Sequence, residues 1–327
     1  MADIGIVSFA GLPDVSINYN TLGKNVFDHY AIVIKNSLGW VCGLQYSNVL
    51  YKSFDEEDIV FITASEKETE KPMGCIMGTF WKNTVGKKVL LTIGAYFILP
   101  EHRGKGLGDH LFNALYKKGL EQNVILYLCS FPKMSQQYAE RYSFNLFRDF
   151  NLATYSPKCS DFVNKKEISL PTHNVFDHKN FTEWEKLQEF DLRLTNGVVD
   201  RMRYIKNLFE SSIYSGIVMN DKNDVVGYIS VQECADRMLF VGPLYAENKE
   251  IVQLLINKVL ENIDISQFSE MRLKAFTCNA DLKDILMDYT NGKINYLGSG
   301  TLQFSIASIP TDIKYVHCIV DTTQNFI

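Results

Sequence analysis

Residues 103–108 read Arg103-Gly104-Lys105-Gly106-Leu107-Gly108, three glycines at alternate positions with two cations among them. A diphosphate needs several hydrogen-bond donors converging on it. Backbone N–H groups at the start of a helix supply them, helped by the positive end of the helix dipole. Glycines let the backbone approach closely and adopt positive φ. Upstream, Lys88 to Leu99 is rich in Val, Leu, Ile, Tyr and Phe and reads as a strand, which Pro100 ends because it cannot donate to a ladder. Downstream, Leu107, Leu111, Leu115 and Tyr116 fall on one helical face, with Gly119 near its end. The loop therefore lies between a strand and an amphipathic helix, the right place for a phosphate-bearing ligand.

Two nucleotide motifs fail on spacing. A dinucleotide fingerprint needs GxGxxG and an acidic residue about twenty positions on. Here the glycines run GxGxG, and no acidic residue ends the next strand. The P-loop needs GxxxxGK[ST], whereas Lys105 is followed by Gly106. What remains is Arg-x-x-Gly-x-Gly after a strand ending in proline. The run from Phe97-Ile98-Leu99-Pro100 through Glu101-His102-Arg103 to Gly108-Asp109 resembles the central motif of the GNAT superfamily of acyl-CoA N-acyltransferases, and the order of elements agrees from about residue 59 to 155. The resemblance implies acetyl-CoA, or another acyl-CoA, as co-substrate and no metal. It implies a strand that splays from its neighbour at a bulge, with Ile98 offering backbone groups to the pantetheine arm. Main-chain N–H groups from Arg103 through Gly104, Lys105, Gly106, Leu107, Gly108 and Asp109 would hold the pyrophosphate.

Acyl transfer to an amine needs the neutral amine. For a lysine-like acceptor at pH 7, deprotonation costs about 4–5 kcal/mol, which a general base offsets. Family members often place a Tyr in the short helix after the next strand, in a pattern like Leu-Tyr-Glu-Lys-Leu-Gly-Phe. The matching stretch is Tyr138-Ala139-Glu140-Arg141-Tyr142-Ser143-Phe144. Counting back from Phe144, the family Tyr falls on Ala139. Tyr138 is one position off, about 100° around a helix, and Tyr142 is at another offset. Both are candidate catalytic residues, set against a packing role that aromatic residues in such helices usually have. The family's Asn after the preceding strand is missing from Ser130-Phe131-Pro132-Lys133. The strand Leu90 to Leu99 offers no Asp or Glu as base, which leaves Glu66 and His29 as alternatives. The run Asp55-Glu56-Glu57-Asp58 would attract a cationic amine, or form a solvated turn.

The second half repeats the order of elements. Strands are expected at Ile213–Met219, Val225–Glu233, Met238–Val241 and Met271–Thr277, with an apolar helix over Ile251–Ile263. No Arg-x-x-Gly-x-Gly follows Val241-Gly242-Pro243-Leu244-Tyr245-Ala246. Glu247, Asn248, Lys249 and Glu250 stand there instead. Without glycines the backbone cannot cradle phosphates, and acidic residues at a helix start repel them. This half is expected not to bind coenzyme A. The polar stretch from Ser156-Pro157 to Leu170-Pro171 reads as a linker.

The expected fold class is α/β (α+β): two tandem GNAT-like domains, each a mixed, mostly antiparallel sheet flanked by helices with a splayed central strand. Their expected bounds are 1–157 and 172–327, joined by 158–171. With 327 residues, 46% hydrophobic and 22% charged, the chain suits two ordinary globular domains. A net charge of −5 disfavours nucleic acid as a partner. No apolar run reaches the length of a membrane span, and the start of the chain lacks the pattern of a signal peptide. Seven scattered cysteines without a CxxC pair suggest neither disulfides nor zinc and point to the cytoplasm. The acceptor is expected to be an amine of a small molecule or peptide. The other reading is an acyl-CoA-binding sensor that has lost turnover.

Overall fold

A computed structural model describes residues 4–20, 23–163, 166, 168–320 and 326–327; positions 164, 165 and 167 of the expected linker lie outside them. The first half runs β1 (Ile4–Val7), β2 (Val15–Asn18), α1 (Lys24–Leu38), α2 (Tyr46–Ser53), β3 (Ile59–Glu66), β4 (Pro72–Lys82), β5 (Lys88–Ile98), α3 (Leu107–Glu121), β6 (Ile125–Ser130), α4 (Pro132–Tyr142) and β7 (Leu146–Tyr155). The second runs β8 (Asn174–Asp177), α5 (Trp184–Leu194), α6 (Met202–Glu210), β9 (Tyr214–Met219), β10 (Val225–Cys234), β11 (Met238–Ala246), α7 (Lys249–Asn262), β12 (Met271–Phe276), α8 (Asp281–Tyr289), β13 (Tyr296–Phe304) and β14 (Val316–Cys318). The repeat legible in the sequence is present: β9-β10-β11-α7-β12-α8-β13 follows the order of β3-β4-β5-α3-β6-α4-β7.

All strands join one mixed sheet, ordered β1-β2-β3-β4-β5-β6-β13-β7-β12-β11-β10-β9-β8, with β14 on β11. The halves exchange strands. β13, from the second half, lies between β6 and β7 of the first, and β7 pairs with β12 of the second. Gln303 fastens the exchange. Buried on β13, it accepts from Ser130 Oγ at 2.7 Å and donates from Nε2 to the carbonyls of Ser135 and Phe144 at 2.9 and 3.1 Å. One side chain from the second half thus joins β6 to the first turn of α4 and to the segment just past its C-terminus. A fragment of residues 1–157 would expose the inner edge of β6 and orphan those groups. Such a fragment is expected to be insoluble or only partly folded by circular dichroism and thermal melting, while the whole chain melts cooperatively.

Each face of the sheet carries its own core. On one face α3 and α4 bury Leu107, Leu111, Phe112, Leu115, Tyr142 and Phe144 against β3, β4 and β5. The spacing of the α3 residues is that of an amphipathic helix. On the other face, α1 and α2 of the first half and α5 and α6 of the second pack into one common cluster. Arg203 of α6 donates to Asp55 at 2.8 Å and to the Lys52 carbonyl at 3.0 Å, across that junction. No helix among the described residues is long and apolar enough to cross a membrane.

Candidate active site

β5 and β6 pair in parallel only from Leu90–Ile125 to Ile93–Leu128. Beyond Ile93, β5 continues to Ile98 bonded to β4 alone. Its register on β4 shifts between Cys75–Phe97 and Met77–Gly94, which leaves one extra residue on β5, and Ala95 there adopts φ 46°. This is a β-bulge, and it turns the strand away from β6. The expected splay is therefore present, with a free backbone edge along Gly94–Ile98.

The glycine loop closes the wide end of that splay. Gly104 and Gly106 take φ of +71° and +87°, and Gly106 is the residue before the first turn of α3. Among the described residues, no backbone carbonyl accepts from the N–H groups of Gly104, Lys105, Gly106, Leu107, Gly108 or Asp109. Six adjacent donors at a helix N-terminus make an anion cradle. The side chains buttress it. Arg103 Nε donates to the Ile98 carbonyl at 2.8 Å, and Lys105 Nζ donates to the Glu101 carbonyl at 3.1 Å. Arg141 of α4 clamps Asp109 through two bonds, at 2.8 and 2.9 Å. Ile98 thus keeps its place on the splayed edge, but its carbonyl already serves Arg103. A Cβ on Gly108 would lie 2.5 Å from the Tyr96 hydroxyl, so only glycine fits under that side chain. The sequence gives no hint of Tyr96, because its role depends on which face of β5 it takes after the bulge.

Neither Tyr138 nor Tyr142 stands free. The Tyr142 ring is buried 4.2 Å from Phe112, and Tyr138 is half-buried, its ring 5.2 Å from the same Phe112. Burial is the main cause that pushes both phenols above their ordinary range. Ala139 is buried on the inner side of α4.

The opposite face of the bulge is apolar. Phe27, Tyr30, Ile34, Phe61, Cys75 and Ala95 line a narrow hollow there. Tyr30 donates to the Ala64 carbonyl at 2.9 Å and Cys75 Sγ to the Ala95 carbonyl at 3.3 Å. His29 lies outside this lining, edge-on to the Tyr30 ring at 6.0 Å, and Glu66 accepts from Thr69. The acidic run at 55–58 is ion-paired. Buried Asp58 meets Lys82 and Lys88, the latter at 3.1 Å, and Asp55 meets Lys82 and Arg203. Hydrogen bonds from Arg203 and then Lys82 hold the Asp55 carboxyl below the usual carboxylate range. The run joins the two halves, with cations already at hand, so it offers little pull on a cationic amine.

The second half carries the corresponding splay, filled by its own chain. β11 pairs with β12 over Leu239–Val241, and β14 then pairs with β11 at Leu244 and Tyr245. Ile319 N donates to the Lys274 carbonyl of β12 at 2.8 Å. A Cβ on Gly242 would stand 2.3 Å from the Ile319 carbonyl oxygen, which is how close the inserted segment comes. The start of α7 is closed as well, because Asn248 accepts from Ile251 N at 3.0 Å.

The chain matches the acetyltransferase (GNAT) family over residues 38–143. That span holds the bulge, the glycine loop, α3 and α4. Residues 38–143 thus match a GNAT acetyltransferase domain, which supports a transferase, and the whole chain shares the fold of a tandem GNAT protein. The family uses acyl-CoA and acts on amines. Three solved structures share the fold. A candidate acetyltransferase of Pyrococcus horikoshii superposes with a TM-score of 0.68 at 14% identity, over 95% of this chain and 96% of that one. A tandem GNAT protein from the clavulanic acid biosynthesis pathway gives 0.60 at 11% identity, over 88% and 98%. A GCN5-related N-acetyltransferase from Sphaerobacter thermophilus gives 0.54 at 11% identity, over 81% and 83%. No curated protein matches the chain in sequence.

Proposed function

We propose that the protein is an N-acyltransferase that takes acetyl from acetyl-CoA and gives it to a primary amine of a small molecule or peptide, at a single site in the first half. The six unclaimed N–H groups at the start of α3, beside the open edge of β5, carry this reading. When bound, the thioester supplies the electrophilic acyl carbon. The cradle from Gly104 to Asp109 holds the diphosphate, the β5 edge orients the pantetheine amides, and the α1 face of the bulge keeps water from the reacting centre. Acetyl, rather than a longer chain, suits the narrow hollow beyond Ala95.

A second reading has a specific observation behind it. Ala139 is buried where the family Tyr stands, and Tyr138 and Tyr142 are packed. An acyl-CoA sensor without turnover would look the same. Free-thiol release from acetyl-CoA, measured over a panel of amines, separates the two. The enzyme reading expects at least one amine to accelerate release well above hydrolysis. If acetyl-CoA binds and no amine accelerates release, the sensor reading takes its place. Tyr138→Phe and Tyr142→Phe are each expected to change kcat by less than about threefold, as packing residues should. A loss of about 100-fold, the scale of general acid catalysis, would make that Tyr catalytic.

A further inference from the structure

Tyr96 follows Ala95 at the bulge of β5. Ala95 and Phe97 pack with the core on the α1 side of the sheet, whereas Tyr96 and Ile98 pack with the core under α3. The Tyr96 ring meets the Phe112 ring with centroids 5.5 Å apart. Phe112 lies about one turn beyond Gly108 along α3. At the other end of the Tyr96 ring, the hydroxyl stands 2.5 Å from the place of a Cβ on Gly108, and Cζ 3.5 Å from it. The ring therefore lies along the first turn of α3, with its polar end toward the start of the helix.

That end reaches the cradle. The Cα–Cβ bonds of a helix lean toward its N-terminus, so an oxygen beside the Cβ place of Gly108 stands on the side where the free N–H groups open. Covalent geometry sets Cβ and N of one residue about 2.5 Å apart, which brings the Tyr96 oxygen within about 5 Å of the Gly108 nitrogen. One phosphate oxygen can accept hydrogen bonds from two donors at that separation.

The hydroxyl is also uncommitted. Tyr96 is half-buried, and its oxygen bonds to no group among the described residues. Arg141 occupies the neighbouring Asp109 carboxylate through two bonds. Burial first, then Tyr138 and Asp109, push the Tyr96 phenol well above its ordinary range. It stays protonated at neutral pH and keeps its O–H donor. Packing accounts for the ring, since Phe would fill the same space against Phe112. It does not account for the oxygen, which loses water on burial and gains only if it meets an acceptor. The six main-chain groups around it are donors as well, so the acceptor has to come with a ligand. A diphosphate brings one, and a hydrogen bond to a charged oxygen is about twice as strong as one between neutral groups.

We propose that the Tyr96 hydroxyl donates to the diphosphate of acyl-CoA, a side-chain donor added to the main-chain cradle from the far side of Gly108. The proposal rests on the acyl-CoA reading of the glycine loop. It makes Tyr96 a binding residue and not a general acid. The diphosphate is unchanged by acyl transfer, so Tyr96 holds substrate and transition state equally and acts on KM rather than on kcat.

Tyr96→Phe in the full chain tests it. The change removes one unpartnered oxygen and keeps the ring, so the melting temperature without ligand should hold or rise. A hydroxyl with only a structural role would lower it. In calorimetric titrations acetyl-CoA should bind the variant about tenfold more weakly than the wild type. The nucleotide end of coenzyme A alone, 3′-phosphoadenosine 5′-diphosphate, should lose affinity by a similar factor, because it carries the diphosphate without the pantetheine arm. With an amine that the panel shows to be acetylated, KM for acetyl-CoA should rise by that factor while kcat changes by less than about twofold. Equal acetyl-CoA affinity in wild type and variant overturns the proposal and leaves the loop reading intact. Weaker acetyl-CoA binding with unchanged affinity for the nucleotide overturns it too, since the hydroxyl would then serve the pantetheine arm. A fall in kcat at unchanged KM would make Tyr96 a general acid and overturn it likewise. A wild-type chain that binds no acetyl-CoA rejects the loop reading, and this proposal with it.

Discussion

Glutamate in place of Gly106 is expected to reduce acetyl-CoA affinity by about a hundredfold, some 2–3 kcal/mol. Three effects act together. A side chain at φ +87° is strained, at a cost of about 1–2 kcal/mol, and relieving it turns the neighbouring N–H groups away from the cradle. A carboxylate at the N-terminus of α3 satisfies the helix dipole itself and repels a diphosphate. The new Cβ would also stand 3.6 Å from the Phe9 ring, so the added chain is directed over the cradle or into that ring. Gly86→Glu is the control. Gly86 has φ +80° in an exposed turn, with nothing within 4 Å of an added Cβ, so it carries the backbone strain without the site. Calorimetry should show wild-type affinity for Gly86→Glu and little or none for Gly106→Glu, and both proteins should retain the native circular dichroism spectrum.

The second large effect is on stability. Asp191 and Arg201, each 1% exposed, form an ion pair at 2.6 Å in the common core. Tyr228 donates to the same carboxylate, while Arg201 also donates to the Tyr245 hydroxyl at 3.1 Å and to a main-chain oxygen of Ile327 at 3.2 Å. Removing the carboxylate strands a buried guanidinium, and Asp191→Ala should cost about 3–5 kcal/mol. That is about a 4–7 °C fall in melting temperature for a chain of this size. Asp191→Leu combined with Arg201→Met should be milder than Asp191→Ala alone, since no charge is left unpaired. A double variant less stable than the single one would show that the network, rather than the lone charge, dominates.

The loop was legible in the sequence because its chemistry is local. Glycine spacing, a strand ended by proline and the periodicity of α3 all lie within about thirty residues, and the structure repeats them. The bulge at Ala95 and the half-open edge of β5 follow the family resemblance rather than any residue pattern. Other features depend on contacts between distant segments. Nothing in the sequence of β13 says that it pairs with β6, because strand partners are chosen by packing. Gln303 reads as a polar residue in an apolar strand until Ser130, Ser135 and Phe144 surround it. Likewise Val316-His317-Cys318 is a short apolar run whose place in the splay of β11 only the tertiary fold decides. The sequence argued against coenzyme A in the second half from missing glycines. The inserted β14 supports the same conclusion through an independent physical cause, a slot already bonded on both sides.

That asymmetry between the halves is the centre of the account, and the stoichiometry of acetyl-CoA binding tests it most directly. Titrating the intact chain by calorimetry should give one molecule bound per chain, and none for Gly106→Glu. Two molecules per chain, or one that survives Gly106→Glu, would contradict it.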